Sequence, residues 1–298
     1  MNVIPVILAL SVALTPRLAT ATEPLRVACL STITTEIVQK VGGARVVVVG
    51  LVKPGMDPHD YEPTPADLKA MADSDLVVAS GKGIEGYLSK LRQSSGTKAS
   101  LLPVGDALPG LRALPGTEVA RNGEDPHWWH SIGAMEKAVT IVRDGLIALR
   151  PADRETFTQN AATYQLELDG LKRWATAELA KVPRDQRKLV TSHDAFQYFA
   201  RDFSFTIYPI KGISSEDEPS SKKVAELIAI IRKQGVKAIF PESIENPKVM
   251  AEITRETGVK VAGKLYADGL GEDEAGTYDG MYRSNVRTIA AALGEGTP

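Results

Sequence analysis

The chain has 298 residues, 43% of them hydrophobic and 24% charged, with 35 basic against 37 acidic side chains and a formal net charge of −2. Such a composition is that of an ordinary soluble globular protein, long enough for one large domain or two of common size. The near-balanced charge gives no reason to expect nucleic acid or an anionic membrane surface as a partner, and the single cysteine, Cys29, excludes an internal disulfide.

Taken in chain order, Val3 to Leu14 is an uncharged apolar run and Ala19-Thr20-Ala21 supplies a small-x-small cleavage pattern. The run is shorter than the ~20 residues needed to span a bilayer. Residues 1–21 therefore read as a signal peptide, although no basic residue precedes the run. Cys29 falls inside a predicted strand after Leu25-Arg26-Val27-Ala28, which does not suit a lipoprotein box, so the expected product is soluble and exported, in the periplasm.

From there strands and helices alternate. Strands are predicted at Leu25–Ser31, Arg45–Val52, Asp75–Ser80 and Ala99–Val104, with helices at Thr34–Val41, Pro65–Met71 and Ile84–Leu91. The valine-rich second strand reads as buried on both faces. Thr64 caps the second helix with proline at its first position. Gly105–Asp125, rich in proline and glycine, reads as a surface loop. Ile132–Leu149 is a helix, and Arg154–Lys181, with apolar residues mostly two to four apart including Leu166, is a second and longer one. After it come strands at Lys188–Thr191, Phe205–Pro209, Ala238–Phe240 and Val259–Leu265, and helices at Ala195–Asp202, Ser220–Gln234, Pro247–Thr257 and Thr277–Leu293. The pattern predicts two doubly wound α/β lobes, residues 22–153 and 183–298, joined by one long rigid helix over residues 154–182.

The chemistry is carried by histidine, of which there are only four. Three sit in loop-like sequence at strand ends or helix starts: His59 in Asp57-Pro58-His59-Asp60, His127 in Asp125-Pro126-His127-Trp128-Trp129-His130, and His193 in Thr191-Ser192-His193-Asp194. Asp268 follows a late strand in Leu265-Tyr266-Ala267-Asp268. Ligands of open α/β sheets bind beyond the carboxyl ends of the strands, and the interlobe cleft is where these four, two from each lobe, can meet. Three neutral imidazoles and one carboxylate form a tetrahedral shell suited to zinc, with manganese the lesser candidate. The competing choice at the second position is His130 as ligand with His127 in support. Otherwise His130 supports a ligand or faces solvent. Glu242, at a strand end, is a further candidate for direct ligation. Asp57 and Asp60 read as loop-structuring, and Glu216-Asp217-Glu218 as a solvated acidic run before a helix. Of Trp128 and Trp129, one is expected to wall off the metal and the other to be core.

At these residues the chain resembles the periplasmic metal-binding proteins of ABC importers, the cluster A-I zinc and manganese type. Asp57 to Asp67, Asp125 to Trp129, Thr191 to Phe199, and Tyr266 to Gly271 followed by Tyr278 to Ile289 are similar to the four motifs of that family in order. The resemblance implies metal held at the lobe interface by His59, His127, His193 and Asp268 and delivered to an inner-membrane ABC permease. It also implies zinc, because zinc members carry histidine at the third position and manganese members glutamate. The histidine-rich loop of many zinc members is missing from Gly105–Asp125, so a periplasmic metallochaperone is a possible substitute. The expected protein is a monomeric binding protein. The alternatives are a secreted zinc-dependent hydrolase, with Glu242 or Asp268 as base, and a manganese importer component or adhesin on the same scaffold. Against the hydrolase, there is no His-Glu-x-x-His helix and no Gly-x-Ser-x-Gly elbow.

Overall fold

The computed structural model describes residues 23–112, 123–213, 219–242 and 248–294. The expected signal peptide, the acidic run at residues 216–218 and the middle of the 105–125 segment lie outside the described residues.

The first sheet is four parallel strands, β1 (Leu25–Cys29), β2 (Val46–Gly50), β3 (Leu76–Ala79) and β4 (Ser100–Pro103), in the order β2-β1-β3-β4. Helices α1 (Thr32–Gly42), α2 (Pro65–Ala72) and α3 (Leu88–Ser95) make its crossovers. The capping of α2 is as the sequence reads: Thr64 accepts the Asp67 N–H, Asp67 returns the bond to the Thr64 N–H, and Pro65 opens the helix.

Two expectations fail here. β2 is not buried on both faces, because the strand order puts it at the sheet edge, where Val47 and Val49 are 46% and 39% exposed. Helix α3 starts four residues late. The buried Glu85 carboxylate instead accepts the backbone N–H groups of Ser80 and Gly81 at 2.5 and 3.1 Å, which holds the end of β3 in a non-helical turn. Burial pushes the Glu85 carboxyl up to about 7.

Helix α4 (Ile132–Leu149) leads into α5 (Arg154–Leu179), whose 26 residues span ~39 Å. Its buried residues, Phe157, Ala161, Tyr164, Leu168, Leu171, Ala175 and Leu179, recur every three or four positions and form one stripe. Leu166 is off that stripe and 72% exposed. Trp174 is half-buried, with the Arg283 and Arg287 guanidinium groups over its ring.

The second sheet repeats the first: β5 (Lys188–Thr191), β6 (Thr206–Pro209), β7 (Ala238–Phe240) and β8 (Lys260–Val261), all parallel, in the order β6-β5-β7-β8. Helices α6 (Gln197–Phe203), α7 (Ser221–Gln234), α8 (Lys248–Thr257) and α9 (Tyr278–Leu293) accompany it. The predicted last strand is cut to two residues, with one isolated bridge between Glu242 and Leu265 beyond it. Pro241 explains the break: its carbonyl accepts the Leu265 N–H, but it has no N–H to continue the ladder.

The lobes share one core. A single cluster of buried side chains runs from Val27 and Ile37 of the first lobe through α4 and α5 to Phe199, Phe240 and Tyr282 of the second. Helix α5 packs on α1, α4 and α9. One polar junction ties three of these together: the buried Glu36 of α1 accepts the Tyr164 hydroxyl of α5 at 2.9 Å and the Tyr278 N–H at the start of α9 at 2.7 Å. Burial raises the Glu36 carboxyl above its ordinary value. No helix among the described residues is long and apolar enough to cross a membrane.

Removing only the hydroxyl, Tyr164→Phe, should lower unfolding stability by about 1–3 kcal/mol, the cost of a lost hydrogen bond to a buried carboxyl group. Urea unfolding of the metal-free protein measures this, and an unchanged midpoint would mean the junction contributes nothing.

Candidate metal centre

Four side chains meet at the seam between the lobes. His59 lies in the loop after β2, His127 just before the 3-10 turn Trp128–His130, His193 after β5, and Asp268 beyond the Leu265 bridge. One ligand atom from each lies within 4.8 Å of all the others. The Nε2 atom of His127 is 3.1 Å from Nε2 of His59 and 3.4 Å from Nε2 of His193. Oδ1 of Asp268 is 3.4, 3.3 and 3.2 Å from Nε2 of His59, His127 and His193. These five edges match the ~3.3–3.4 Å expected between ligand atoms of a tetrahedral shell with bonds of about 2.0–2.1 Å.

The Asp268 Oδ1 atom is buried and accepts no well-formed hydrogen bond. Three nearly equidistant imidazole nitrogens around such an oxygen are the geometry of a shared cation. The donor set, nitrogen-rich with one carboxylate, suits a borderline-soft divalent ion.

Local sequence sets each imidazole. Asp57-Pro58-His59 and Asp125-Pro126-His127 form the same turn, in which the aspartate Oδ1 accepts the histidine N–H two residues on, at 2.8 Å in both. Asp125 also takes the His127 ring, Nδ1 to Oδ1 at 2.8 Å, which turns Nε2 to the centre. Glu242 does the same for His193: its Oε2 pairs with the ring Nδ1, and its Oε1 accepts the Ser192 and His193 N–H groups. Glu242 therefore orients a histidine and is not among the four convergent groups. The sequence reading treated Asp125 only as part of a motif and missed this work. The repeated Asp-Pro-His tripeptide was the signal that could have found it.

His130 is neither convergent nor solvent-exposed. It is buried, its Nε2 bonds the Ala267 carbonyl at 2.8 Å, and burial with the neighbouring His127 lowers its pKa to about 3, so the ring stays neutral. Trp129 donates its Nε1–H to the same carbonyl at 2.8 Å and stands edge-on to the His127 ring. Trp128 instead donates to Ser80 within the first lobe. On the far side of Asp268, the Leu270 N–H bonds Thr32 Oγ1 at 2.8 Å. Gly269 permits this approach, since a Cβ there would lie 2.5 Å from that hydroxyl.

Electrostatics follow from burial. His127 and His193 are fully buried, Asp268 nearly so, and His59 lies nearest the surface. Burial alone would lower the His127 pKa, but the Asp125 and Asp268 carboxylates outweigh it and raise it to about 9. His193 is raised well above its ordinary value in the same way, against burial, by Asp268 and Glu242. Asp268 is held well below its ordinary value, again against burial, by His193 first and then the other two imidazoles. Of the described residues of the 105–125 segment, Gly105, Leu108 and Asp125 are buried, whereas Asp106, Ala107, Pro109, Gly110 and Arg112 are exposed.

Two parallel-sheet lobes with this cluster in their seam define a metal-binding protein. Residues 27–292 match the family profile described as zinc-uptake complex component A, periplasmic, and the chain belongs to that family. It is 32% identical to the manganese-binding lipoprotein MntA of Bacillus subtilis, over 92% of this chain and 91% of that protein. It is 31% identical to the iron-binding protein YfeA of Yersinia pestis, over 92% and 88%. The solved structure of the periplasmic zinc-binding protein TroA from Treponema pallidum superposes with a TM-score of 0.83 at 29% identity, covering 92% of this chain and all of that one. Each of these is named as a metal-binding protein, and this chain, as a member of that family, is a binding protein rather than an enzyme.

Asp125→Asn and Glu242→Gln should each weaken metal affinity by about 10–100-fold without removing a convergent group, because each frees a histidine ring to turn. Competition against a chromophoric chelator measures this. Unaltered affinity in both would show that the rings need no orientation.

Proposed function

We propose that this protein captures zinc outside the inner membrane and delivers it to the permease of an ABC importer. Zinc is held by His59, His127, His193 and Asp268. Residues 1–21 direct export, and the two lobes, residues 22–153 and 183–298, meet at the site with residues 154–182 between them. The observation that carries the reading is the buried Asp268 Oδ1, ringed by three Nε2 atoms at 3.2–3.4 Å. All four donors come from protein, as in a closed tetrahedral site with no position left for a reacting water. His193 at the third position supports zinc over manganese.

The name of the Bacillus subtilis relative favours a second reading, manganese as the cargo. Affinity does not separate the two, because zinc outbinds manganese at most sites of this kind. Cellular uptake does. Deleting this protein should lower zinc accumulation in zinc-poor medium and leave manganese unchanged, and protein isolated from replete cells should carry one zinc. Lost manganese uptake with intact zinc uptake would overturn the zinc assignment.

Acid should weaken binding. Metal needs neutral imidazoles, yet in the metal-free protein His127 titrates at about 9 and His193 is also raised. At least one proton therefore leaves on binding near pH 7, and affinity should fall about tenfold or more per unit of pH decrease. Calorimetry in buffers of different ionisation enthalpy counts those protons. Affinity independent of pH between about 6 and 8 would contradict raised histidines.

A further inference from the structure

Behind the site, Lys82 has more built around it than a turn needs. It is 3% exposed and has a φ of +55°, between Gly81 and Gly83 at +81° and +83°. A lysine in left-handed backbone costs ~1 kcal/mol and persists where its surroundings hold it there. Here its N–H donates to Asp106 Oδ1 at 2.6 Å, while its ammonium reaches the Leu108 carbonyl at 3.2 Å and Glu124 Oε2 at 2.5 Å. One buried cation thus joins residues 16 positions apart in sequence, at the two ends of the 108–124 segment.

The second lobe grips the same place. Tyr198 of α6 is fully buried, and its hydroxyl accepts the Leu111 N–H at 3.2 Å and lies 3.3 Å from the Asp125 carbonyl oxygen, to which it donates. Between these grips the Asp125 N–H donates to the Leu111 carbonyl at 2.8 Å, and Arg112 bridges Glu124. Asp125 is the residue that turns the His127 ring. Its backbone is therefore held from both lobes, within one residue of Glu124.

We propose that Lys82 and Tyr198 are positioning residues for the metal site, clamping the base of the 108–125 segment from opposite lobes and, through Asp125, fixing the His127 imidazole. Neither touches the metal. A shift of one lobe against the other acts on Asp125 through Tyr198, so the clamp links lobe position to the hold on His127. The assignment rests on the metal-binding reading above.

Cobalt(II), whose visible spectrum reports coordination geometry, is the probe for the full chain. Tyr198→Phe and Lys82→Met should each raise the cobalt Kd and dissociation rate about tenfold and alter the visible bands of the bound ion, over and above the lowered urea midpoint that a lost buried hydrogen bond brings in the metal-free protein. Lys82→Arg should recover most of the affinity. Lys82→Met with Glu124→Gln should be no weaker than Lys82→Met alone, since both break one contact. Wild-type protein that binds cobalt while both variants match it in affinity, rate and spectrum would overturn the assignment. So would an affinity loss that tracks lost stability with an unchanged spectrum. Wild-type protein that takes up no cobalt would overturn the metal-binding reading, and this assignment with it.

Discussion

The structure turns on a buried carboxylate that needs positive charge. Asp268 sits at the meeting of the lobes with its Oδ1 directed at three imidazole nitrogens rather than at a hydrogen-bond donor of its own. Burying an uncompensated carboxylate would cost several kcal/mol. Without metal, the raised pKa values of His127 and His193 mean that imidazolium protons supply the compensation. A divalent cation that displaces two protons leaves the net charge of the seam unchanged. Metal and protons are thus exchangeable neutralisers of the same buried carboxylate.

That exchange needs the ligand atoms to stay in place when the proton leaves, and the chain spends much of its buried polarity on this. Asp125 and Glu242 hold the outer ring nitrogens of two histidines. Trp129 and His130 of the first lobe both bond the Ala267 carbonyl of the second, next to Asp268. The hydroxyls of Tyr278 and Tyr282 on α9 in turn bond the carbonyls of Trp129 and His130 at 2.7 and 3.1 Å. Each bond is modest alone, but a satisfied buried network selects one arrangement over its neighbours. The low pKa of His130 fits that role, because a ring that does not take up a proton across the working pH range keeps its bond to Ala267 while His127 and His193 change protonation.

Much of this was legible in the sequence, and the failures have local causes. The lobes, the long helix and the convergence of His59, His127, His193 and Asp268 follow from alternating apolar runs and from histidines confined to strand ends. Spacing alone left Leu166 unassigned to a face, and apolar residues two apart cannot share one helix face. Periodicity misread β2 because a run of valines does not reveal whether a strand is central or at an edge, which is fixed by pairing partners elsewhere in the chain. The start of α3 was lost to Glu85, whose carboxyl competes for backbone N–H groups that a helix would otherwise use. Lys82, Tyr198 and Glu242 were out of reach as supports, since each acts on residues 26 to 87 positions away, and Glu242 was weighed only as a ligand. Asp125 was within reach, two residues from its histidine and preceded by an identical Asp-Pro-His turn.

Edge lengths alone do not choose the metal. Edges of 3.1–3.4 Å correspond to four ligands at about 2.0 Å around a tetrahedral ion, or to neighbouring ligands at about 2.3 Å around a larger, six-coordinate one. The two cases differ in what else must enter, because the larger ion needs two further donors. His127, His193 and Asp268 are enclosed by the Trp129 ring, the Ala267 backbone and the turn held by Thr32. Among the described residues, the His59 side lies nearest the surface. Among the described residues, the nearest sources of extra donors are the second oxygen of Asp268 and water admitted past His59. The number of donors that can enter, rather than intrinsic affinity for nitrogen ligands, is thus what would distinguish a four-coordinate ion from a six-coordinate one here.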